Sequence, residues 1–470
     1  MLGDYDMPED ACTIVQRGKM FKKVKETLKR GLNDDLSLPA PKWDNPNFQS
    51  HPLNGTRYTS RTFFEQEWES VWTKSWLLLG RETEMPEPNS FQVENIGPES
   101  IIMVRQTDES IKAFYNVCQH RGSRLIFSNE GKSETFACPY HGWEFATNGK
   151  LVKAQDSEDF PINPCEHVTL IELKCDVFAG FVWVNMDPDC QSLREYLGPV
   201  CNDWERYQPD KWQRFTAMTV NVPCNWKILQ DNFCESYHLP TVHPQLRESH
   251  EESYSKTTFD ICSEGHSRMI MLGATPSATQ YGPKPPLTEG LAERLRLWDL
   301  NPDDFTDRAL HARKALQEQM RLLGRERGHN HYENLRDEQL TDAHMYNIFP
   351  NCSLTFGADG VLLQRMTPHP TDPEQCVFDH WYYAFTPSSG AELLRAQTNV
   401  RVDEENAERQ FFDYGQKPMG IIPDQDVAIT IGQQLGLRSR GFIRATASGQ
   451  EDRISWFHHI IDEYMQGQRP

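Results

Sequence analysis

Two short stretches decide the fold of the segment around them: Asn116-Val117-Cys118-Gln119-His120-Arg121-Gly122 and Cys138-Pro139-Tyr140-His141-Gly142-Trp143. The first stretch pairs a cysteine and a histidine as C-x-H, and the second pairs them as C-x-x-H. Two thiolates and two imidazoles can hold one tetrahedral zinc ion, or a [2Fe–2S] cluster with both cysteines on one iron and both histidines on the other. The spacing therefore predicts a metal centre that two loops build together.

The residues around the four ligands favour the cluster over zinc. Gly122 and Gly142 follow the two pairs, at points where the backbone must pass close to a bulky inorganic core. Pro139 and Tyr140 stiffen and shield the second loop, which a structural zinc site does not need. Both motifs resemble those of Rieske proteins, and the resemblance implies that the ligands are Cys118, His120, Cys138 and His141.

Composition narrows the class of protein. The formal net charge of −20 repels phosphate backbones, so we expect no nucleic-acid partner. No apolar run approaches the roughly 18 residues of a membrane span, and the N-terminus lacks the order of a signal peptide. We therefore expect a cytoplasmic protein without a membrane association. The cysteines outside the cluster motif are expected to be reduced thiols.

The pattern along the chain predicts an α+β protein of three parts. Residues 1–75 are expected to form N-terminal helices and an arm that pack on the catalytic domain. An all-β Rieske domain is expected over 76–188, because two alternating strands lead into the first cluster loop and residues 178–184 read as a last strand. The larger part, 189–470, mixes helices with an antiparallel sheet, as in a helix-grip fold.

A second metal site is predicted by His238 and His243, which follow the pattern H-x4-H on either side of Pro240. The proline makes a regular helix through both histidines unfavourable, but a helix end that turns into a loop can still bring the imidazoles together. Two histidines and one carboxylate form the facial triad of non-haem Fe(II) oxygenases. Two ordinary histidines are the alternative. An electron-transfer cluster in the same chain favours iron, because the cluster needs an electron acceptor.

The chain resembles the α subunit of Rieske non-haem iron oxygenases, the aromatic-ring-hydroxylating dioxygenases, from about Tyr58 to about Gly441. The family's helix reads N-W-K, then E-N-F, then E-x-Y-H, with a second histidine farther on. This chain departs from the pattern at Asp231, where the family has glutamate. The matching residues are Asn225-Trp226-Lys227, Asn232-Phe233, Glu235, Tyr237-His238 and His243.

The resemblance also implies the remaining site residues. The third iron ligand is expected to be Asp426, which precedes the stretch Gln434-Leu435-Gly436-Leu437. Asp424 is the alternative ligand, and it could instead cap the same helix. Glu235 is expected to link His238 to the cluster histidine His141 of a neighbouring subunit. Asn232 is expected to lie at the catalytic site.

The resemblance implies a terminal oxygenase component with a [2Fe–2S] cluster and a mononuclear Fe(II). Because the chain has no G-x-G-x-x-G fingerprint, NAD(P)H is expected to act through a separate ferredoxin or flavin reductase. The expected assembly is a homotrimer, with or without a β subunit. The expected reaction is mono- or dihydroxylation, or oxidative demethylation, of an apolar aromatic small molecule with O₂. A zinc hydrolase and an iron–sulfur electron carrier or redox sensor are the alternatives.

The substrate pocket is expected to be lined by residues near the iron ligands, such as Asn232, Phe233 and Leu239, and by strand residues after Phe349. The segment 285–346 is charged and partly helical, and we expect it to cover the entrance to this pocket.

Overall fold

The computed structural model describes residues 43–49, 52–385 and 407–469. The basic amphipathic helix expected within residues 14–32 lies outside the described residues, and the division of the chain at 75 and 188 stays a prediction. Within the described residues, no helix is long and apolar enough to cross a membrane.

The first half of the described chain is a β structure that carries the two cysteine–histidine loops. A seven-stranded sheet has the order β1-β10-β9-β4-β3-β2-β5, and a three-stranded sheet has the order β6-β7-β8. The strands are β1 (Leu77–Arg81), β2 (Ser90–Ile96), β3 (Glu99–Arg105), β4 (Ile111–Tyr115), β5 (Glu130–Lys132), β6 (Thr135–Ala137), β7 (Glu144–Ala146), β8 (Leu151–Lys153), β9 (Glu172–Phe178) and β10 (Phe181–Asn185).

The expected last strand is present as β10, but it begins at Phe181 and not at Phe178, because residues 178–180 are the end of β9 and a hairpin turn. β9 ends at Phe178, β10 begins at Phe181, and these two residues pair across the turn. The turn residues Ala179 and Gly180 have φ of 57° and 75°. Two consecutive residues with positive φ give a two-residue turn whose twist matches that of the flanking strands. Because the apolar run continues through the turn, the pattern of apolar residues does not indicate where one strand ends and the next begins.

The second half is built on a larger sheet with the order β12-β14-β15-β16-β17-β18-β11-β19, and β13 pairs with β14. All these pairs are antiparallel except that of β11 with β19. The strands are β11 (Gln213–Val222), β12 (His250–Glu251), β13 (Thr258–Ile261), β14 (Ser267–Gly273), β15 (Ala343–Ile348), β16 (Cys352–Gly357), β17 (Gly360–Pro368), β18 (Cys376–Ala384) and β19 (Gln410–Asp413).

Helices pack around the second sheet, so the predicted α+β fold class, a smaller β part with a larger sheet-and-helix part, is confirmed. The helices are α1 (Thr56–Thr59), α2 (Arg61–Glu67), α3 (Leu193–Leu197), α4 (Val200–Trp204), α5 (Trp226–Asn232), α6 (Leu239–Val242), α7 (Ala278–Tyr281), α8 (Glu289–Leu297), α9 (Ala312–Leu323), α10 (Asp337–Thr341), α11 (Ile421–Leu437) and α12 (Asp452–Met465). A π-helical turn, Trp68–Trp72, continues α2.

A buried arginine joins the two β structures. Arg365 on β17 donates to Asp379 at 2.7 Å and to Glu94 on β2 at 2.9 Å. Its remaining terminal nitrogen donates to the carbonyls of Leu78 and Leu79 on β1. Because a buried charge is tolerated only when it is paired and hydrogen-bonded, these contacts fix the smaller sheet on the larger one.

Candidate metal centres

The two cysteine–histidine loops have the same backbone geometry. In the first loop, Gly122 N–H donates to the Cys118 carbonyl at 3.0 Å, and Cys118 N–H donates to the Ser123 carbonyl at 2.8 Å. In the second loop, Gly142 N–H donates to the Cys138 carbonyl at 3.0 Å. Gly122 and Gly142 have φ of 75° and 67°, a conformation that favours glycine. Each loop therefore turns back on itself directly after its histidine.

The loops bring the predicted cluster ligands together in pairs, the two cysteines beside each other and the two histidines beside each other. Both cysteines are buried, and the rings of His120 and His141 lie 4.7 Å apart between centroids. Trp143 stacks on His120 at 4.6 Å, which fixes that ring. Nδ1 of His120 is buried and forms no hydrogen bond with any of the described residues. A buried ring nitrogen without a partner fits a metal ligand, so the residues present fit a [2Fe–2S] cluster.

Backbone N–H groups lower the pKa of one of the two predicted cysteine ligands. Burial raises the pKa of Cys138, but hydrogen bonds from the N–H groups of Tyr140 and His141 outweigh burial and hold its pKa below the ordinary value. For Cys118, burial and the neighbouring Cys138 leave the pKa raised. Because a thiolate is the metal-binding form, N–H groups aimed at sulfur are what a cluster site requires.

The second site forms where helix α5 ends and the chain turns. Asn225 caps α5 by accepting a hydrogen bond from the N–H of Lys227, and the helix ends at Asn232. His238 then stands at the N-cap position of the short helix α6, and His243 at its C-cap position. Pro240 lies in the first turn of α6, where its missing N–H costs no hydrogen bond. No regular helix therefore includes both histidines, as expected, and a single short helix lies between them.

Helix α11 supplies the carboxylate. Asp426 Oδ1 lies 2.8 Å from Nε2 of His243 and 3.6 Å from Nε2 of His238. One ligand atom from each of these three residues lies within 4.8 Å of the other two. Two imidazole nitrogens and one carboxylate oxygen at this separation fit a single ion, and this donor set is that of non-haem Fe(II) sites.

Neighbouring side chains orient the three ligands. Oε1 of Glu235 lies 2.6 Å from Nδ1 of His238, and Oε1 of Gln425 lies 2.8 Å from Nδ1 of His243. Both acceptors hold the proton on Nδ1, so each Nε2 is left free to bind metal. The side-chain amide of Asn232 donates to Asp426 Oδ1 at 2.9 Å. Asn232 therefore lies against the carboxylate of this site.

Gln425 is a functional residue that the sequence reasoning missed. It adjoins Asp426 on α11, and nothing in a single glutamine signals that its amide oxygen reaches a histidine in another element. Burial lowers the pKa of His243, but the hydrogen bond and charge of Asp426 outweigh it and raise the pKa above its ordinary value.

The two other aspartates of the predicted motifs lie elsewhere. Asp424, the alternative ligand, accepts from the N–H of Met419 at 3.2 Å and so closes the turn before α11. Asp231 is buried, and its carboxylate accepts from the Tyr58 hydroxyl at 2.8 Å and lies 3.1 Å from His458 Nε2. The structure brings neither carboxylate to the His238–His243 pair.

A cavity of about 530 Å³ is lined in part by Gln245 and Leu246, which follow His243 closely in the chain. Residues of α8 to α10 and of strands β15 to β18 form most of its remaining lining. Leu246 packs against an apolar cluster of Leu239, Met271 and Ala343, and Leu239 follows His238. Residues of segment 285–346 line this cavity, and its expected covering of the substrate entrance stays a prediction. Phe233 stacks on Phe378 in the core and does not line the cavity.

Two families of known proteins match the chain. The family described as Ring hydroxylating alpha subunit (catalytic domain) matches residues 209–467, and the family described as Rieske [2Fe-2S] domain matches residues 75–166. The first match holds the residues of the histidine–aspartate site, and the second holds both cysteine–histidine loops.

Individual relatives differ in the molecules for which they are named. The carnitine monooxygenase oxygenase subunit of Escherichia coli (strain K12) is 34% identical over 221 residues, which are 46% of this chain and 59% of that protein. The chlorobenzene dioxygenase subunit alpha of Cupriavidus sp. (strain PS12) is 27% identical over 372 residues, 73% of each chain. The aligned part of this chain thus spans well under two thirds of the length of the carnitine enzyme.

Solved structures show the same fold. A quaternary ammonium Rieske monooxygenase superposes with a TM-score of 0.63 at 21% identity, over 93% of this chain and 99% of that one. Naphthalene 1,2-dioxygenase with bound indole superposes with a TM-score of 0.63 at 19% identity, over 90% and 94%. With the family match over 209–467 and the geometry of both sites, this chain belongs to the Rieske non-haem iron oxygenases, the family of ring-hydroxylating alpha subunits.

Proposed function

We propose that this protein is the terminal component of an oxygenase, which uses O₂ and electrons from a separate reductase to oxidise a small organic molecule. The observation that carries the proposal is the group formed by His238, His243 and Asp426, one ligand atom of each lying within 4.8 Å of the others. An electron carrier needs the cluster loops alone, and a second site with this donor set has no role in it. The electron-carrier alternative is therefore not favoured.

The residues around this site orient the three ligand side chains. Glu235 and Gln425 hold protons on Nδ1 of the two histidines, so both Nε2 atoms face Asp426. The amide of Asn232 restrains the carboxylate of Asp426 at 2.9 Å. When bound, Fe(II) at this triad supplies the activation of O₂. We propose His238, His243 and Asp426 as its ligands, and Cys118, His120, Cys138 and His141 as the ligands of the cluster.

Electrons are proposed to enter at the cluster and to pass between subunits. Tyr140, between the second pair of ligands, is 56% exposed, and Tyr237, beside His238, is 59% exposed. Both metal-site loops thus present aromatic side chains at the surface, where a second copy of the chain can cover them. We propose a homotrimer, because a head-to-tail contact forms a ring when its rotation closes, and three subunits are the number that the resemblance to the family implies. In the quaternary ammonium Rieske monooxygenase of known structure, electron transfer is likewise inter-subunit.

The partner and substrate are proposed at the level of class. The reductase is a separate NAD(P)H-dependent flavin protein, acting directly or through a ferredoxin, and both proteins share the cytoplasm. Relatives are named for carnitine, chlorobenzene and biphenyl, so their names span aliphatic and aromatic substrates. The cavity of about 530 Å³ has the size of sites that take small organic molecules.

Labelled oxygen tests the proposed function. The holoenzyme, supplied with NADH and a reductase, is offered a panel of small aromatic and aliphatic molecules under ¹⁸O₂, and products are analysed by mass spectrometry. We expect at least one product with ¹⁸O in a new C–O bond, or a demethylated product with ¹⁸O in the released one-carbon fragment. Oxygen that came only from water, or the absence of O₂ consumption across the panel, would contradict the proposal.

Glu235→Gln tests the path between the two sites. Glutamine keeps the shape but loses the charge, so the variant should bind both metals. The charge-assisted hydrogen bond to His238 is lost, and such bonds contribute roughly 1.5–3 kcal/mol. We expect reoxidation of the reduced cluster by O₂ in the presence of substrate to slow by about tenfold or more, the factor that corresponds to about 1.4 kcal/mol in a barrier.

The readout for this variant is stopped-flow absorbance of the cluster, together with iron analysis. Glu65→Gln is the matched control, because Glu65 is an exposed glutamate on α2. Normal reoxidation in Glu235→Gln would leave Glu235 as a hydrogen-bonding partner of His238 and remove it from the electron path.

A further inference from the structure

Arg294 stands out among the side chains of the cavity. It lies on α8 and lines the cavity, and its one hydrogen bond goes from Nη2 to the Leu340 carbonyl at 3.3 Å. Across the described ranges, no carboxylate forms an ion pair with this guanidinium. An arginine has five N–H donors in a planar fork, so most of the donors of Arg294 have no protein acceptor.

The two carboxylates in its surroundings are already engaged. Asp342 accepts from Nε and Nη2 of Arg313 at 2.7 and 2.6 Å. Asp359 lies 2.8 Å from Nδ1 of His329 and accepts from the hydroxyl of Tyr332. Neither carboxylate can turn to Arg294 without leaving another buried group unpaired.

The other basic groups of the cavity differ from Arg294. Arg327 donates to the Leu297 carbonyl and pairs with Asp299 at 2.6 Å, and it lies over the ring of Trp298. Burial and the charge of Arg294 lower the pKa of His250 to about 4, so His250 is neutral near neutral pH. Among the described residues of this lining, Arg294 is therefore the cationic group without a carboxylate partner.

The remaining lining limits what can bind. Leu246, Phe356 and Leu362 supply apolar surface, and Leu246 packs on the apolar cluster that contains Leu239, the residue after His238. Glu248 and Glu293 also line the cavity, and both are exposed. Their negative charges disfavour a ligand with a second anionic group.

We propose that the cavity binds a small organic monocarboxylate, with its carboxylate on Arg294 and its apolar body along Leu246 and Phe356. The planar fork of arginine binds a carboxylate through two parallel hydrogen bonds, and in a partly buried site this pairing is strong. The inference rests on the proposed function, since it names the substrate class of the same site. It replaces the expected wholly apolar substrate by one with an acidic group.

The test measures binding without turnover, in acid–amide pairs that differ only in charge: benzoate with benzamide, phenylacetate with phenylacetamide, and hexanoate with hexanamide. Isothermal titration calorimetry is done on the holoenzyme without reductant. We expect at least one acid to bind about tenfold or more tightly than its amide, the factor that a charge-assisted pair of about 1.4 kcal/mol gives. In Arg294→Gln this preference should disappear.

Arg296→Gln is the matched control, since Arg296 is on the same helix but is exposed and pairs with Glu289 at 2.8 Å. It should keep the preference for the acid. Arg294→Lys retains the charge without the fork and should keep part of the preference, so it serves if the glutamine variant does not fold. A panel in which no acid outbinds its amide would overturn the inference, as would a preference that survives in Arg294→Gln.

Failure of the proposed function gives a different pattern. If acids bind through Arg294 but no product carries ¹⁸O, the oxygenase proposal fails and the binding inference stands. If amides or hydrocarbons are oxygenated and acids gain nothing from Arg294, the oxygenase proposal stands and the inference on the substrate is wrong.

Discussion

Asp426→Ala should remove the mononuclear iron and leave the cluster in place. Iron per chain is expected to fall from about three to about two, because one of three ligands is lost at a site that holds a single ion. Oxygenation should fall to background, since O₂ activation depends on this ion. The absorption of the cluster should stay unchanged, because Asp426 lies on α11, outside the strands and loops that carry Cys118 and Cys138.

Asp424→Ala is the matched control for this experiment. Asp424 is on the same helix, and its carboxylate accepts from the Met419 N–H instead of facing the two histidines. It should lose some stability through the lost turn contact and keep its iron. Iron analysis of both purified variants checks the prediction, and loss of iron in Asp424→Ala alone would show that the ligand choice is wrong.

Cys118→Ser should abolish the cluster. A serine hydroxyl is a poor replacement for a buried thiolate, so iron per chain is expected to fall from about three toward about one. The reduced protein should lose the electron paramagnetic resonance signal of the cluster, and the red-brown colour should fade. Activity should be lost as well, because electrons can no longer reach the second site.

Cys165→Ser controls for the general effect of removing a thiol from this part of the fold. Cys165 packs against the same apolar cluster as Cys118 but lies on the turn after β8, away from the two loops. Its variant should keep colour, signal and iron. A Cys118→Ser protein that retained the full signal would remove Cys118 from the ligand set.

The local parts of both sites were predictable because each depends on a few consecutive residues. A C-x-H or C-x-x-H pair closed by a glycine forms its own turn, as the matching hydrogen bonds of Gly122 and Gly142 show. His238 and His243 likewise lie on either side of one short helix. In such segments the backbone geometry is set by neighbouring residues, so the spacing of side chains already predicts which atoms meet.

Contacts between residues far apart in the sequence could not be predicted in this way. Asp426 meets His243 across 183 residues, and the sequence offered Asp424 as well. The phase of α11 decides between them, because two residues on a helix are about 200° apart, so one carboxylate turns to the histidines and the other to the preceding turn. The hairpin at Ala179 and Gly180 was missed for a similar reason, since its turn lies inside an apolar run.

The sequence by itself determined the donor chemistry of the two metal sites, the α+β fold class and the family. Only the tertiary structure decided which carboxylate faces the histidines, that Gln425 orients His243, and that Arg294 is left without an acidic partner in the cavity, among the residues described. The physical reason is that ligand type and turn geometry are local properties of the chain. Pairing of charges depends on which groups the packed elements bring within hydrogen-bond distance.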